Sequence, residues 1–588
     1  MVTCFGTKVP DMAIATQTPQ GEYPEYDAAV SDLVRGKDAW AKSSIADRIQ
    51  VLVDIKDALM PVSQAWAETA SRKKLLPQGA PAEGEEWTSG PYALMSGCNG
   101  LIETLSQMEG KAFLNGLPTR QTATGQLAVK VAPHNIWDHM LLSGVRAEVW
   151  MQPGVTRANL AEHTAGAYDI PVNQRVGMVA LVLGAGNISS IAPLDCFQKL
   201  FLEHQVVVLK LNPVNDYLYD VLTVALAPLI TRDALRIVRG DGPAGAYLTN
   251  HPDVDELHIT GAEATHDLIV WGAAAEGAAN KQAGTPINTR RITSELGAVC
   301  PTIVVPGPWS DADIRFQAEH IATQKMHNSG FNCIACQVVV MPKSWELSAA
   351  LLEAVETVFS KITRLPYYPG AEHRMDEFAG HSDAATSITR SKAKPVVITK
   401  IRDERDTWFE SNEVFAPALS VYEIEGSDPE TYLKAAIEYA NIRLHGTLGG
   451  NILIHPKTIQ AIGKKRFEQL VGEFHYGCVA INAWSGLAFS LTVTPWGAFP
   501  GHTLKDVQSG IGTVHNTFMF DRPERTVVQA PWRPFPRSYL AGEWSMLPKP
   551  PWFVTNKMAQ KVGKAMTRFQ HKPSWLRLPA VIMAAMRG

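Results

Sequence analysis

Short apolar runs separated by helical lengths predict an α/β protein built on buried parallel sheets. Three of them, "VGMVALVLGAGN" (176–187), "QVVVLKLNP" (205–213) and "ALRIVRG" (234–240), have the near-continuous hydrophobicity of strands covered on both faces. "TIVVPG" (302–307) and "CQVVVMP" (336–342) begin a second α/β series. A chain of 588 residues that is 46% hydrophobic can bury large cores, and its length predicts two or three domains.

In chain order, residues 27–71 place Ile45, Ile49, Leu52, Ile55 and Leu59 at helical spacing, which predicts two long amphipathic helices. A glycine-containing polar stretch from Gly84 leads to a further helix near 101–108, and "GVRAEVWMQPGVTRANLAEH" (144–163) alternates like a strand. Residues 255–272 add a strand, a turn at Gly261 and a helix start. A proline-rich segment, 529–553, precedes a terminal helix on which Lys557, Lys561, Lys564 and Arg568 recur beside Met558, Val562, Ala565 and Phe569. Residues 546–588 contain no Asp or Glu. Such a basic amphipathic helix could lie on an anionic membrane surface, as a peripheral contact, or dock on the body or another subunit.

A net charge of -4 and a charged fraction of 19% exclude nucleic acid as the main partner and suit a small neutral substrate. Seven cysteines at irregular spacing do not form a disulfide framework, which implies a reducing compartment. The first residues lack the basic and apolar regions of a secretory signal, and no apolar run is long enough for a membrane span. A cytoplasmic protein is therefore expected, with membrane association reserved for the tail.

The stretch "HNSGFNCIACQVVV" (327–340) holds Cys333 and Cys336, three residues apart. A zinc or redox pair, a nucleophile with a bystander, and two core thiols are all compatible with that spacing. Structural zinc wants four ligands and no second pair exists, so no metal is expected. Asn328, Gly330 and Asn332 permit a tight turn that would aim a thiol outward at the start of a helix, where the dipole favours thiolate.

These residues resemble the nucleophile motif N-x-G-Q-x-C of the aldehyde dehydrogenase superfamily, which selects Cys333 and departs at Phe331. Further segments resemble the family's in the same order. "SELG" (294–297) places Glu295 at the general-base position, with Ala298 in place of a second glycine, and "GAGNISS" places Asn187 where a side-chain amide donates to an oxyanion. "VVVLK" places Lys210, with Asn212 after it, at the cofactor ribose, 23 residues beyond Asn187. "TGAEATH" keeps Thr260 and Gly261 of the dinucleotide turn but has His266 for its second glycine. "NEVFAPAL" puts Glu413 and Phe415 beside the nicotinamide riboside. The wording of several motifs leans toward a divergent branch near bacterial acyl-CoA reductases.

The resemblance implies an aldehyde dehydrogenase-like fold: a Rossmann-like cofactor domain (1–140 and 166–298), a catalytic α/β domain (299–512) and a small β oligomerisation projection (141–165 and 513–530), followed by the proline-rich linker and tail (531–588). It implies oxidation of an aldehyde to the acid through a Cys333 thiohemiacetal and thioester, with Glu295 activating water and Asn187 holding the oxyanion. NAD or NADP is the implied cofactor, since Pro213 stands where NAD-preferring relatives often have Glu. Homodimers or homotetramers are implied. Phe331 and Trp484 are candidate pocket residues. Two alternatives stand beside this reading: a coenzyme A-acylating dehydrogenase or acyl-CoA reductase, which Glu295 argues against, and a catalytically dead scaffold, which the departures at Phe331, Ala298 and His266 allow.

Overall fold

The computed structural model describes residues 22–402 and 406–588; the expectations placed on the first residues, Cys4 included, lie outside them. Two sheets organise the chain. The first runs Gly510–Ile511, Ile292–Leu296, Glu256–Gly261, Val179–Leu183, Val206–Lys210, Leu235–Val238. Its strands are parallel except Gly510–Ile511, which pairs antiparallel with Ile292–Leu296. Every residue of Val206–Lys210 is buried, as the unbroken apolar run requires when helices cover both faces. The two opening helices, Pro24–Ala41 and Ile45–Lys73, form as their periodicity predicts; Ser44 and Asp47 close a capping box at the start of the second. Trp40 Nε1 donates to Leu200 O at 3.0 Å and ties the first to the sheet's flank.

The second sheet has eleven strands, in the order Thr119–Gln121, Leu127–Ala132, Arg146–Met151, Pro523–Gln529, Cys478–Ile481, Gly449–Leu453, Cys300–Val304, Cys336–Pro342, Ala418–Ile424, Val396–Ile401, Thr386–Ile388. Its middle is parallel and its two ends antiparallel. The chain leaves the first sheet at Leu296 and enters the second at Cys300. That short passage sets the carboxyl end of one sheet against the loop preceding Cys336–Pro342.

Three boundaries differ from the sequence reading. Thr119–Gln121 and Leu127–Ala132, expected with the cofactor unit, belong to the eleven-stranded sheet, and Gly510–Ile511 crosses the other way. The segments expected as a projection, Arg146–Met151 and Pro523–Gln529, continue the eleven-stranded sheet: Pro523–Gln529 lies between Arg146–Met151 and Cys478–Ile481 of the same chain. Pairing within the chain satisfies their backbone groups without a second subunit.

The tail departs from a free lipid-facing helix. Ala559–His571 buries Ala559, Val562, Gly563, Thr567 and Phe569. It fits so closely against Gly84–Trp87 that a Cβ on Gly84 would collide with Ala559, and one on Gly563 would lie 2.7 Å from Trp87 Cβ. The apolar stripe that the spacing singles out is spent on the body. Among the described residues no helix is long and apolar enough to cross a membrane.

Candidate active site

The helix Asp311–Met326 ends in a tight turn, His327–Gly330, where three successive residues take left-handed backbone: Asn328 (φ 51°), Ser329 (φ 57°) and Gly330 (φ 88°). Asn tolerates that region and Gly is at ease in it. A Cβ on Gly330 would also press on Ala416 O at 2.9 Å. Side-chain amides hold the turn. Asn332 Nδ2 donates to His327 O at 2.7 Å, Asn328 Nδ2 to Phe331 O at 2.9 Å, and Asn187 Nδ2 to the same carbonyl at 3.0 Å. Asn328 N donates to Glu85 Oε2 at 2.9 Å, and Glu85 forms a two-pronged ion pair with Arg364, both side chains buried. Glu85 and Arg364 escaped the sequence reading because they lie 243 residues before and some 30 residues after the turn, in stretches with no motif.

The element following Cys333 is a strand, Cys336–Pro342, and not the helix that the sequence suggested. No helix dipole therefore stabilises a thiolate at Cys333. Burial, together with the carboxylates of Glu295 and Glu413, pushes this thiol well above its ordinary value. Cys336 is buried and also pushed up, to about 11, by burial. Cys333 and Glu295 line the same cleft. Burial raises Glu295 to about 7, with the Asp195 charge adding to it, while Trp496 Nε1, donating to Glu295 Oε1 at 3.1 Å, opposes the shift. A carboxylate poised near neutrality beside a thiol that does not ionise on its own is a base with a proton to take.

A cleft of about 940 Å³ runs from the carboxyl ends of the first sheet's strands to Cys333. The crevice beyond those ends is where open parallel sheets bind ligands. Asn187, Lys210, Asn212, Thr260, Gly261, Glu295, Glu413 and Phe415 all line it, so the sequence-predicted catalytic and cofactor positions converge on one site. Burial lowers Lys210 to about 8, against the pull of Asp241. Glu413 is raised to about 8 by burial and by Glu295. A Cβ on Gly297 would collide with the Glu413 carboxylate, so glycine is what admits it. Phe415 takes left-handed backbone (φ 42°) and its ring packs on Tyr368 at 5.2 Å. Thr260 turns its hydroxyl inward, donating to Asp195 Oδ2 at 2.8 Å. It thus lends the cleft its backbone, not its hydroxyl. The sequence reading missed Asp241, Arg374 and Trp408, which also line the cleft.

A smaller cavity of about 90 Å³ lies on the other side of Cys333, which lines both spaces. Its walls include Ile188, Leu487, Phe489, Trp484 and Trp496, with Trp552 and Met566 from the C-terminal segment. Trp484 is among its walls, with Nε1 donating to Ile334 O at 3.4 Å. Phe331 is not: it lines neither cavity and is fully buried behind the turn against Tyr367, Tyr368 and Phe415. Where a glutamine would need partners, the phenyl ring fills an aromatic cluster. Among the described residues no group of His, Cys, Asp and Glu could hold a metal ion.

Fold and site together set a thiol beside two carboxylates in one cleft of a two-sheet α/β fold. Residues 210–364 match the aldehyde dehydrogenase family. An aldehyde dehydrogenase of Enchytraeus buchholzi is 36% identical over 102 residues, 17% of this chain and 18% of that one. A probable coniferyl aldehyde dehydrogenase of Pseudomonas aeruginosa is 24% identical over 357 residues, 57% of this chain and 66% of the other. The chain thus spans less than two thirds of the length of the curated relatives it matches. The γ-glutamyl-γ-aminobutyraldehyde dehydrogenase of Burkholderia cenocepacia superposes with a TM-score of 0.57 at 17% identity, covering 86% of this chain and 88% of that one. Aldehyde dehydrogenase C of Pseudomonas syringae, solved with NAD+ and octanal, gives 0.56 at 16% identity over 87% and 90%. The resemblance to the aldehyde dehydrogenase superfamily is borne out: this chain has the aldehyde dehydrogenase fold and carries the family's sequence pattern over 210–364.

Proposed function

We propose that the protein oxidises an apolar aldehyde to the carboxylic acid with NAD+, Cys333 being the nucleophile. The observation that carries this is the position of Cys333 between the cleft and the apolar cavity, in a cleft it shares with a carboxylate raised to about 7. A dinucleotide fits the polar groups of the cleft: Glu413 Oε1, an acceptor, and Arg374 Nη2, a donor, are buried there without partners, with Lys210 and Asn212 toward the first sheet. When bound there, such a cofactor would supply the hydride acceptor that the oxidation needs.

The chain's own groups do the rest. Glu295 takes the thiol proton, and the thiolate adds to the aldehyde carbon to give a thiohemiacetal. The developing oxyanion lies between the Cys333 backbone N–H and the Asn187 amide, whose other N–H is tied to Phe331 O; such a donor contributes on the order of 3 kcal/mol in the transition state. After hydride departure a thioester remains; Glu295 passes the thiol proton to solvent, draws a proton from the water that attacks, and returns it to the Cys333 sulfur as the C–S bond breaks and the acid leaves. Glu295 supports hydrolysis over transfer to coenzyme A. Purified protein with octanal and NAD+ is expected to form NADH and octanoate without coenzyme A. A strict requirement for coenzyme A would replace this reading with the acylating one, and no turnover with a panel of aldehydes would favour the dead scaffold.

NAD is favoured over NADP by Asp241, which lines the cleft and whose charge acts on Lys210. A carboxylate there opposes a 2'-phosphate. Asp241 also caps the helix Gly242–Asn250, so Asp241→Asn keeps the cap and removes the charge. The variant is expected to raise kcat/KM with NADP relative to NAD by about tenfold; an unchanged ratio refutes the assignment.

Two or four copies could assemble, as in the reading from resemblance, through the exposed strand edges at Thr119–Gln121 or Thr386–Ile388. A peripheral lipid contact through the C-terminal segment suits an apolar substrate, which partitions into bilayers.

A further inference from the structure

The strongest unassigned feature is a face where three separate segments expose large apolar side chains. One is the end of the chain, with Trp575 60%, Leu576 93% and Met583 57% exposed. The second is the short helix Ile136–Leu141, with Ile136 54% and Met140 43% exposed. The third is the loop carrying Trp544 at 73% and Met546 at 61%. They are neighbours in the fold. Trp137 packs edge-on against Phe569 and at a tilt against Trp575, with ring centroids 5.3 and 4.8 Å apart, and Phe569, Leu578 and Val581 form a small core with it. Ser545 Oγ donates to Ser143 O at 2.6 Å, and Met546 N donates to Ser143 Oγ at 3.0 Å. Isolated exposed apolar side chains are ordinary, but a cluster drawn from three segments marks an interaction surface.

Charge selects what covers it. Residues 546–588 carry Lys549, Lys557, Lys561, Lys564, Arg568, Lys572, Arg577 and Arg587 and no acid. Lys557, Lys561, Arg568, Lys572, Arg577 and Arg587 are exposed, though Lys572 and His571 have Asp57 nearby. A second copy meeting this face through a twofold axis would set cations against cations. An anionic bilayer supplies both an apolar interior for the side chains and negative headgroups for the cations around them.

The same segments wall the apolar cavity at Cys333. Leu142 follows the exposed short helix, Pro551 and Trp552 follow the exposed loop, and Met566 belongs to the helix that Trp137 holds. We infer that this face, formed by residues 136–142, 544–552 and 566–587, docks on an anionic membrane surface and sets the apolar cavity at Cys333 against the lipid from which its substrate comes. The substrate half of this statement rests on the aldehyde reading above; the docking half does not.

Vesicle sedimentation of the full chain separates the two, since it needs no turnover. With vesicles of phosphatidylcholine and phosphatidylserine at low salt the protein is expected to pellet, and to do so at least about tenfold less with phosphatidylcholine alone or at high salt. The double variant L576D/M583D places acids on solvent-exposed positions. It is expected to pellet about tenfold less than wild type while keeping the same thermal midpoint. An R568E/R587E variant, changed at exposed cations within the face, should lose binding in parallel and tests the charge without touching the apolar residues. Absence of pelleting by wild type at low salt overturns the inference, as does equal pelleting by wild type and both variants. Dissociation of a wild-type dimer by L576D/M583D, without vesicle binding, would assign the face to a second copy and overturn it equally. Vesicle binding without aldehyde oxidation would leave the docking face standing and reject the reaction.

Discussion

Cys333→Ala is expected to lower NADH formation from aldehyde by at least about a thousandfold, because no other group near the cleft can form the thiohemiacetal. Cys300 and Cys336 are the neighbouring thiols, and both are buried in the eleven-stranded sheet with their ionisation opposed by burial. They cannot substitute. The fold should not register the change: Cys333 sits in a turn held by Asn187, Asn328, Asn332 and Glu85, none of which uses its sulfur as a hydrogen-bond partner. A thermal midpoint within a few degrees of wild type is therefore expected. Equal turnover by the variant would remove Cys333 from the chemistry and leave the dead-scaffold alternative or another nucleophile. Steady-state kinetics with octanal, alongside a thermal melt of the same preparation, makes the comparison.

Glu295→Gln is expected to cost about a hundredfold to ten-thousandfold in kcat and to change the shape of the pH profile. In wild type the carboxylate is held near 7, so below that pH it is protonated and can take a proton neither from the thiol nor from water. Wild-type activity should rise through about pH 7. The variant should lose that inflection and recover only at alkaline pH, as the thiol, displaced well upward, ionises by itself. An inflection near 7 in both proteins would assign it to another group. The same displacement has a stability sign. The folded pKa exceeds the unfolded one of about 4.3, so the folded state binds this proton more tightly. Stability from it is present below about pH 4.3 and is lost as pH rises toward 7. Glu295→Gln should consequently raise the thermal midpoint at pH 8 and have little effect on it at pH 4.

The two carboxylates also explain why the thiol is disfavoured as an anion at rest. Glu295 and Glu413 both act on Cys333, and Glu295 also raises Glu413. Holding Glu413 against Gly297 keeps a second acidic group in the cleft with the first. The arrangement keeps the sulfur protonated until an electrophile arrives, which limits its oxidation.

Local sequence determined the strands. Val179–Leu183, Val206–Lys210 and Cys336–Pro342 are apolar runs that only a doubly covered parallel sheet can bury, and they form where that pattern places them. Motif order determined the cast of the cleft, since Asn187, Lys210, Gly261, Glu295, Cys333, Glu413 and Phe415 all reach it. Tertiary structure alone decided what those groups can do. The expected helix after Cys333 is a strand, so the thiol's proton affinity follows from burial and from carboxylates 38 residues before and 80 after it, which no local pattern reports. Phe331 looked like pocket lining because it adjoins the nucleophile, yet the left-handed turn sends it into an aromatic cluster. Pairing of Pro523–Gln529 with Cys478–Ile481, and packing of Ala559–His571 on Gly84–Trp87, are likewise contacts between distant segments. Periodicity states which face of an element is apolar; only the folded chain states what that face meets.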